Sequence, residues 1–146
     1  MTIRIFADAN ILIAGANSKS GASYAVLRIA EVGLIDLVVS RQVLDEAERN
    51  LRLKLPQALP TFAEQLSLLD LEIIPDPKPE ESAQWEPIIE VKDAPVLAAA
   101  VLAKVDRILS LNTKDFIQDV ADQCGVPIQT PGEFIQDIRN ILDLGV

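Results

Sequence analysis

Short apolar runs alternate with amphipathic stretches along nearly the whole chain, and this alternation limits the fold more than any other feature. Residues 3–7, 35–39, 71–74, 108–111 and 126–129 have the apolar, β-branched density of strands. Helical spacing of apolar residues occupies 20–32, 41–55, 61–69, 94–104, 113–123 and 132–142. Strands that alternate with helices imply crossover connections, and so a mostly parallel sheet covered on both faces. At 146 residues the chain is one domain's worth, with no internal repeat and no low-complexity tract.

Local chemistry marks several boundaries. Ser40 is placed to cap the helix after the second strand, and Gly33 and Gly125 stand where helices end. Thr130 and Glu133 have capping-box spacing, with Pro131 in the first turn. The stretch 94–104 is apolar nearly all round and carries Ala98, Ala99 and Ala100, which predicts an interior helix close against the sheet. Residues 75–87, with four prolines among acids, predict a surface connection.

Composition removes several kinds of chemistry. Hydrophobic residues make up 49% and charged residues 24%, a globular balance. No apolar run is long enough for a membrane span, and a single cysteine, Cys124, permits no internal disulfide; a cytoplasmic protein is the expectation. The absence of histidine excludes Ser-His-Asp and Cys-His triads and imidazole-based metal sites. A net charge of −9 argues against broad, non-specific nucleic-acid binding. It is compatible with acids that bind a cation, because the ion changes the local sign.

Ligands of open parallel sheets bind beyond the carboxyl ends of the strands, so acids placed there carry the functional expectation. Asp8 ends the first strand and Asp115 follows the fourth. Asp93 opens the interior helix, and Glu46 lies on the helix after the second strand. Each has an ordinary structural reading. Asp8 would cap a short turn, Asp93 before Pro95 suits a helix N-cap, and Asn112 with Asp115 has capping-box spacing. Glu46 and Glu48 both suit a solvated helix face, and the apolar stripe Val43, Leu44, Ala47, Leu51 lies closer to Glu48. Together, several carboxylates converging on one small volume would need a cation, and oxygen-only ligands suit Mg²⁺ or Mn²⁺.

Four local sequences, in this order, resemble the PIN-domain family of metal-dependent nucleases. They are Asp8-Ala9-Asn10, the segment Ser40 to Glu46, the stretch Lys92 to Ala100, and Ser110 to Phe116 with Ser110 for the usual Thr. The closing Thr130-Pro131-Gly132-Glu133-Phe134 is similar to family members as well. The resemblance implies a three-layer α/β/α sandwich around a mostly parallel five-stranded sheet. It places Asp8, Glu46, Asp93 and Asp115 at the acidic metal-binding and catalytic positions, and Asn10, Ser110 and Asn112 at the supporting polar ones. The implied cofactor is Mg²⁺ or Mn²⁺ and the implied reaction is hydrolysis of RNA to 5′-phosphate and 3′-hydroxyl ends. Bacterial relatives of the virulence-associated protein C type are toxins, often homodimeric, held by a small antitoxin protein. Residues 20–32 are a candidate for such an interface, with core packing as the plainer role. RNA capture would fall to local cations, for which Arg49, Arg52, Lys54, Lys92 and Lys114 are candidates.

Two other classes compete. A receiver-type phosphoacceptor domain also binds Mg²⁺, but needs an acidic pair after the first strand and an Asp after its central one. Here Asp8 stands between Ala7 and Ala9, and the third strand has no acid until Asp76. The other is a PIN-like fold that binds RNA or protein without cutting, to which the presence of all four acids is the counter-argument.

Overall fold

The computed structural model describes residues 2–144. In chain order the elements are β1 (Ile3–Ala7), α1 (Ala9–Asn17), α2 (Ala22–Glu31), β2 (Ile35–Ser40), α3 (Arg41–Lys54), α4 (Leu59–Leu68), β3 (Glu72–Ile74), α5 (Pro79–Ala83), α6 (Ala94–Leu102), β4 (Arg107–Leu109), α7 (Gln118–Cys124), β5 (Ile128–Gln129) and α8 (Pro131–Leu144). All five strands are parallel, in the order β3-β2-β1-β4-β5. The sheet is therefore wholly parallel, where the sequence implied mostly so.

Strand order grows from β1 through β2 to β3 on one side, and from β4 to β5 on the other. Right-handed crossovers then lay α1 to α4 on one face and α6 and α7 on the opposite one. β1 is central. Its register pairs Phe6 with Val38 on β2 and with Ile108 on β4, and all three side chains are fully buried. Burying a residue of this size contributes roughly 1.5–3 kcal/mol. α6 packs behind the sheet as its sequence predicts, with Leu97, Ala98 and Ala100 wholly inaccessible.

Three local expectations need correction. Residues 9–17 form a nine-residue helix, not a short turn. The sequence Ala-Asn-Ile-Leu-Ile-Ala-Gly-Ala-Asn is apolar nearly all round, so no stripe betrays it. Gly15 lets α1 approach α2 closely, because a Cβ there would collide with Leu27 Cδ1. The second correction concerns 113–123. α7 begins only at Gln118, because Asn112 and Asp115 form a local turn in which Asp115 N donates to Asn112 Oδ1 at 3.3 Å. Third, 75–87 contains the short α5, whose start is fixed by Lys78 N donating to Glu81 Oε1 at 2.8 Å.

Other expectations hold. Ser40 Oγ accepts from Val43 N at 3.2 Å, and Thr130 and Glu133 make the reciprocal bonds of a capping box. Gly33 and Gly125 end their helices at φ 81 and 76, the left-handed region that favours glycine. α2 buries Ser23, Val26, Leu27 and Ala30 and packs on α1 and α8, so core packing takes its apolar face. Among the described residues no helix is long and apolar enough to cross a membrane.

Candidate active site

The order of the sheet reverses between β1 and β4, and the carboxyl ends of these two strands meet at Asp8 and Ser110. Asp8 is only 7% exposed and is held from three directions. Ala9 N donates to its Oδ1 at 2.8 Å, so Asp8 does cap α1. Its Oδ2 accepts from Ser110 Oγ at 2.8 Å and from Asn10 Nδ2 at 3.3 Å. A cap and a cleft-facing acid are therefore the same residue. Burial pushes its pKa up, against the pull of these hydrogen bonds.

Asn10 ties the two strand ends together. Its Oδ1 accepts from Leu111 N at 2.9 Å and its Nδ2 reaches Ser110 Oγ at 3.2 Å. Ser110 needs only its hydroxyl for this work, which explains why Ser serves where Thr is usual. Asn112 N donates to the same oxygen at 3.0 Å, and Asn112 Nδ2 donates to Asp115 Oδ2 at 3.1 Å. The three supporting polar residues form one connected network.

Above this network lies a cleft of about 410 Å³ lined by Asp8, Asn10, Glu46, Asp93 and Asn112, with Ile13, Gln42, Arg49, Asn50, Lys92 and Val96. Glu46 is half-buried there. Burial, then the charge of Asp8, raises its pKa, while Arg49 and Lys92 act the other way. Glu48 lies on the other side of the helix and pairs with Arg52 at 2.8 Å. The two glutamates flank the apolar stripe on opposite sides, so closeness to the stripe does not distinguish them. Gln42 and Asn50 were not singled out from the sequence, and Arg49 only as one of five cations for RNA capture. Their spacing of −4, +3 and +4 from Glu46 is the signal that finds them, since such positions share a helix face.

Asp93 occupies the N-cap position of α6 but its side chain caps nothing. Its Oδ2 is buried and has no hydrogen-bond partner among the described residues. Asp115 is its neighbour. Burial, followed by the hydrogen bond and charge of Asp115, pushes the Asp93 carboxyl up to about 7. Asp115 is shifted down, first by Asn112 and then by Asp93. Asp93 therefore holds its proton more tightly than Asp115 does, and its Oδ2 is left without a protein donor. Asp115 lines an adjoining cleft with Lys114, so it stands at the rim of the first one.

The donor set fits Mg²⁺ or Mn²⁺: carboxylate oxygens without nitrogen or sulfur, and one buried oxygen without a partner. Among the described residues no three of these acids stand close enough to cage an ion unaided.

A stability prediction follows from these shifts. An acid whose native pKa is raised binds more protons in the folded than in the unfolded chain. For Asp93 this holds between about 4 and about 7, so its contribution to stability falls as pH rises through that window. Asp8 and Glu46 act with the same sign, and Asp115 against it. Mn²⁺ at about a hundred times its Kd should restore roughly 2.7 kcal/mol. Because ligands must shed protons first, the gain in Tm should be larger at pH 8 than at pH 5.5. Thermal melts of chelated protein with and without Mn²⁺ measure this, and a Tm unchanged by Mn²⁺ at both pH values would contradict a cation site here.

Comparison with known proteins identifies the family. A family model described as PIN domain matches residues 4–114. The chain belongs to the PIN-domain family. Asp8, Glu46 and Asp93 fall within the matched residues, and Asp115 lies one residue beyond. Among solved structures, a toxin–antitoxin complex from Klebsiella pneumoniae is similar at 26% identity and TM-score 0.62, covering 87% of this chain and 97% of that one. VapBC2 from Rickettsia felis, bound to a DNA fragment from its promoter, is similar at 19% identity and TM-score 0.63, covering 88% and 98%. Mycobacterium tuberculosis VapC20, a sarcin–ricin loop cleaving toxin, is similar at 17% identity and TM-score 0.53, covering 82% and 94%. No curated protein sequence matches the chain significantly.

Proposed function

We propose that this PIN-domain nuclease hydrolyses RNA with Mg²⁺ or Mn²⁺ and is the toxin of a toxin–antitoxin pair. The observation that carries the reading is the convergence of Asp8, Glu46 and Asp93 on one cleft at the sheet's switch point, with Asp115 at its rim. Asp8 and Asp93, with help from Glu46 and Asp115, would hold the ion. When bound it supplies Lewis acidity toward a phosphodiester and lowers the pKa of water.

The chain's own residues do the positioning. Ser110, Asn10 and the Ala9 amide fix both oxygens of Asp8. Asn112 fixes Asp115 from the loop after β4. A carboxylate held this way meets its charge partner with little reorganisation. The antitoxin part of the reading is supported by the toxin–antitoxin complex from Klebsiella pneumoniae, at 26% identity. The partner would be a small protein, and a homodimer is the expected assembly of the toxin.

The test is direct. Purified, chelator-treated protein is given a structured RNA with Mg²⁺, with Mn²⁺ or with chelator, and the products are resolved on a gel and their ends typed. Cleavage with either metal and none with chelator is expected, leaving 5′-phosphates. Cleavage undiminished in chelator would overturn the metal, and none under any condition would overturn the ribonuclease.

A further inference from the structure

Glu46 has an amide side chain one helical turn to either side of it. Gln42 lies four residues before it on α3 and Asn50 four after, each about 6 Å along the helix axis. Both line the cleft of the acids, and both are half-buried. Neither amide is used up by the fold. The Gln42 side chain makes no hydrogen bond among the described residues; only its backbone N–H is engaged, donating to Asp76 Oδ1 at 2.8 Å. Asn50 Nδ2 donates to Glu46 O at 2.9 Å. That bond settles which way the Asn50 amide points, and it leaves Oδ1 and one Nδ2 proton free. An open acceptor beside an open donor is the pattern that reads a base edge, and Asn and Gln pair in this way with N6 and N7 of adenine. The half-buried Ile13, on the neighbouring α1, adds an apolar surface to the same cleft.

We propose that Asn50 and Gln42 are the specificity-determining residues of this cleft, each reading one of the two bases that flank the scissile phosphate, with adenine preferred at both. The proposal rests on the ribonuclease reading, which puts the scissile phosphate beside Asp8, Glu46 and Asp93. A strand lying along α3 then brings one flanking base to each amide. The distance of about 6 Å from Glu46 exceeds the roughly 3.4 Å rise per nucleotide of a stacked strand. The bases are therefore taken splayed apart, as unstacked bases of single-stranded RNA are read. Ile13 offers apolar contact to the face of one of them. A base is neutral, so this recognition asks for no excess of cations in a cleft rich in acids. Phosphate contacts position a strand without sensing its sequence, and contacts to base edges supply the selectivity.

The experiment measures kcat/KM with Mn²⁺ on single-stranded RNA oligonucleotides built around the cleavage site mapped in the structured RNA, varying only the two flanking bases. Wild type should prefer adenine at both positions, by roughly 5- to 150-fold over the other bases. Asn50→Ala should erase that preference at one position and Gln42→Ala at the other, each by slowing the adenine substrates and leaving the poorer ones unchanged. Alanine raises helix propensity at both positions, so α3 is kept, and thermal melts check this. Asn50→Asp presents acceptors only and should move the preference at its position toward cytosine, whose N4 donates. A folded variant that loses rate equally on every substrate has lost a structural residue, and that result overturns the proposal. A wild type indifferent to both bases overturns it too. In either case the cleavage itself leaves the ribonuclease reading standing. A wild type that cleaves no RNA with any metal overturns both.

Discussion

Asp8→Asn is expected to abolish RNA cleavage while leaving the fold in place. Asp8 ends the central strand, and both its oxygens are already engaged by Ala9 N, Ser110 Oγ and Asn10 Nδ2. Asn retains an oxygen for the Ala9 amide, so α1 keeps its cap, as Asn and Asp cap almost equally well. The other position changes from acceptor to donor. Ser110 Oγ can reverse its role toward it, whereas Asn10 Nδ2 then faces another donor at 3.3 Å. Against that cost, burial no longer opposes a charge at this position and the repulsion with Glu46 and Asp93 is gone. The opposing effects leave stability within about 1 kcal/mol of the wild type, a Tm change of roughly 4 °C or less.

Activity should fall much further. Loss of a mere supporting partner of a metal ligand costs about 10–100-fold, and loss of a ligand's charge should exceed the upper figure. Wild type and variant are compared on a gel with Mn²⁺ and in thermal melts. Equal cleavage by a folded variant would sink the ligand assignment and leave Asp8 as a helix cap. The same variant should lose most of the Mn²⁺-induced rise in Tm, an effect that does not depend on turnover.

What made this site legible was the position of its acids relative to strands. Asp8 at the end of β1 and Asp115 beyond β4 follow from strand–helix alternation and the rule that parallel sheets bind ligands at strand ends. The all-parallel order required no more than the same alternation. What stayed hidden was hidden for physical reasons. α1 has hydrophobic residues on most sides because it is wedged among α2, α3 and α4, and a helix covered on most sides has no clear periodic stripe. The loop 110–117 satisfies capping-box spacing through Asn112 and Asp115, but those side chains close a local turn and the helix starts later, at Gln118.

Asp93 shows the limit of residue-level rules most clearly. Its place before Pro95 is that of a good N-cap, and its position in the structure agrees, yet its carboxyl turns away from the backbone toward Asp115. Only the tertiary arrangement reveals that a favourable local bond has been forgone. The cations behave likewise: sequence offers five equivalent candidates, and only the helix faces sort Arg49 from Arg52.

That sorting sets up the second large effect, the contrast between Glu46→Gln and Glu48→Gln. The two residues are chemically identical, two positions apart on α3, and on opposite sides of its apolar stripe. Glu46 is half-buried in the cleft, where burial and the charge of Asp8 hold its pKa up. Glu48 is exposed and makes an i,i+4 pair with Arg52. Such a surface pair is worth about 0.3–0.5 kcal/mol, so Glu48→Gln should lower Tm slightly and leave cleavage within about twofold of wild type. Glu46→Gln should have the opposite profile. Removing its charge relieves the repulsion from Asp8, so the metal-free protein should melt at the same temperature or slightly higher. Cleavage should fall by about a hundredfold or more, and the Mn²⁺-induced rise in Tm should shrink, because one ligand charge has gone. Activity assays and melts on both variants, each with and without Mn²⁺, give four comparisons. Activity lost in Glu48→Gln and kept in Glu46→Gln would mean that α3 presents its other face to the substrate. Arg49 would then be turned away from the substrate as well, since it shares the cleft of Glu46.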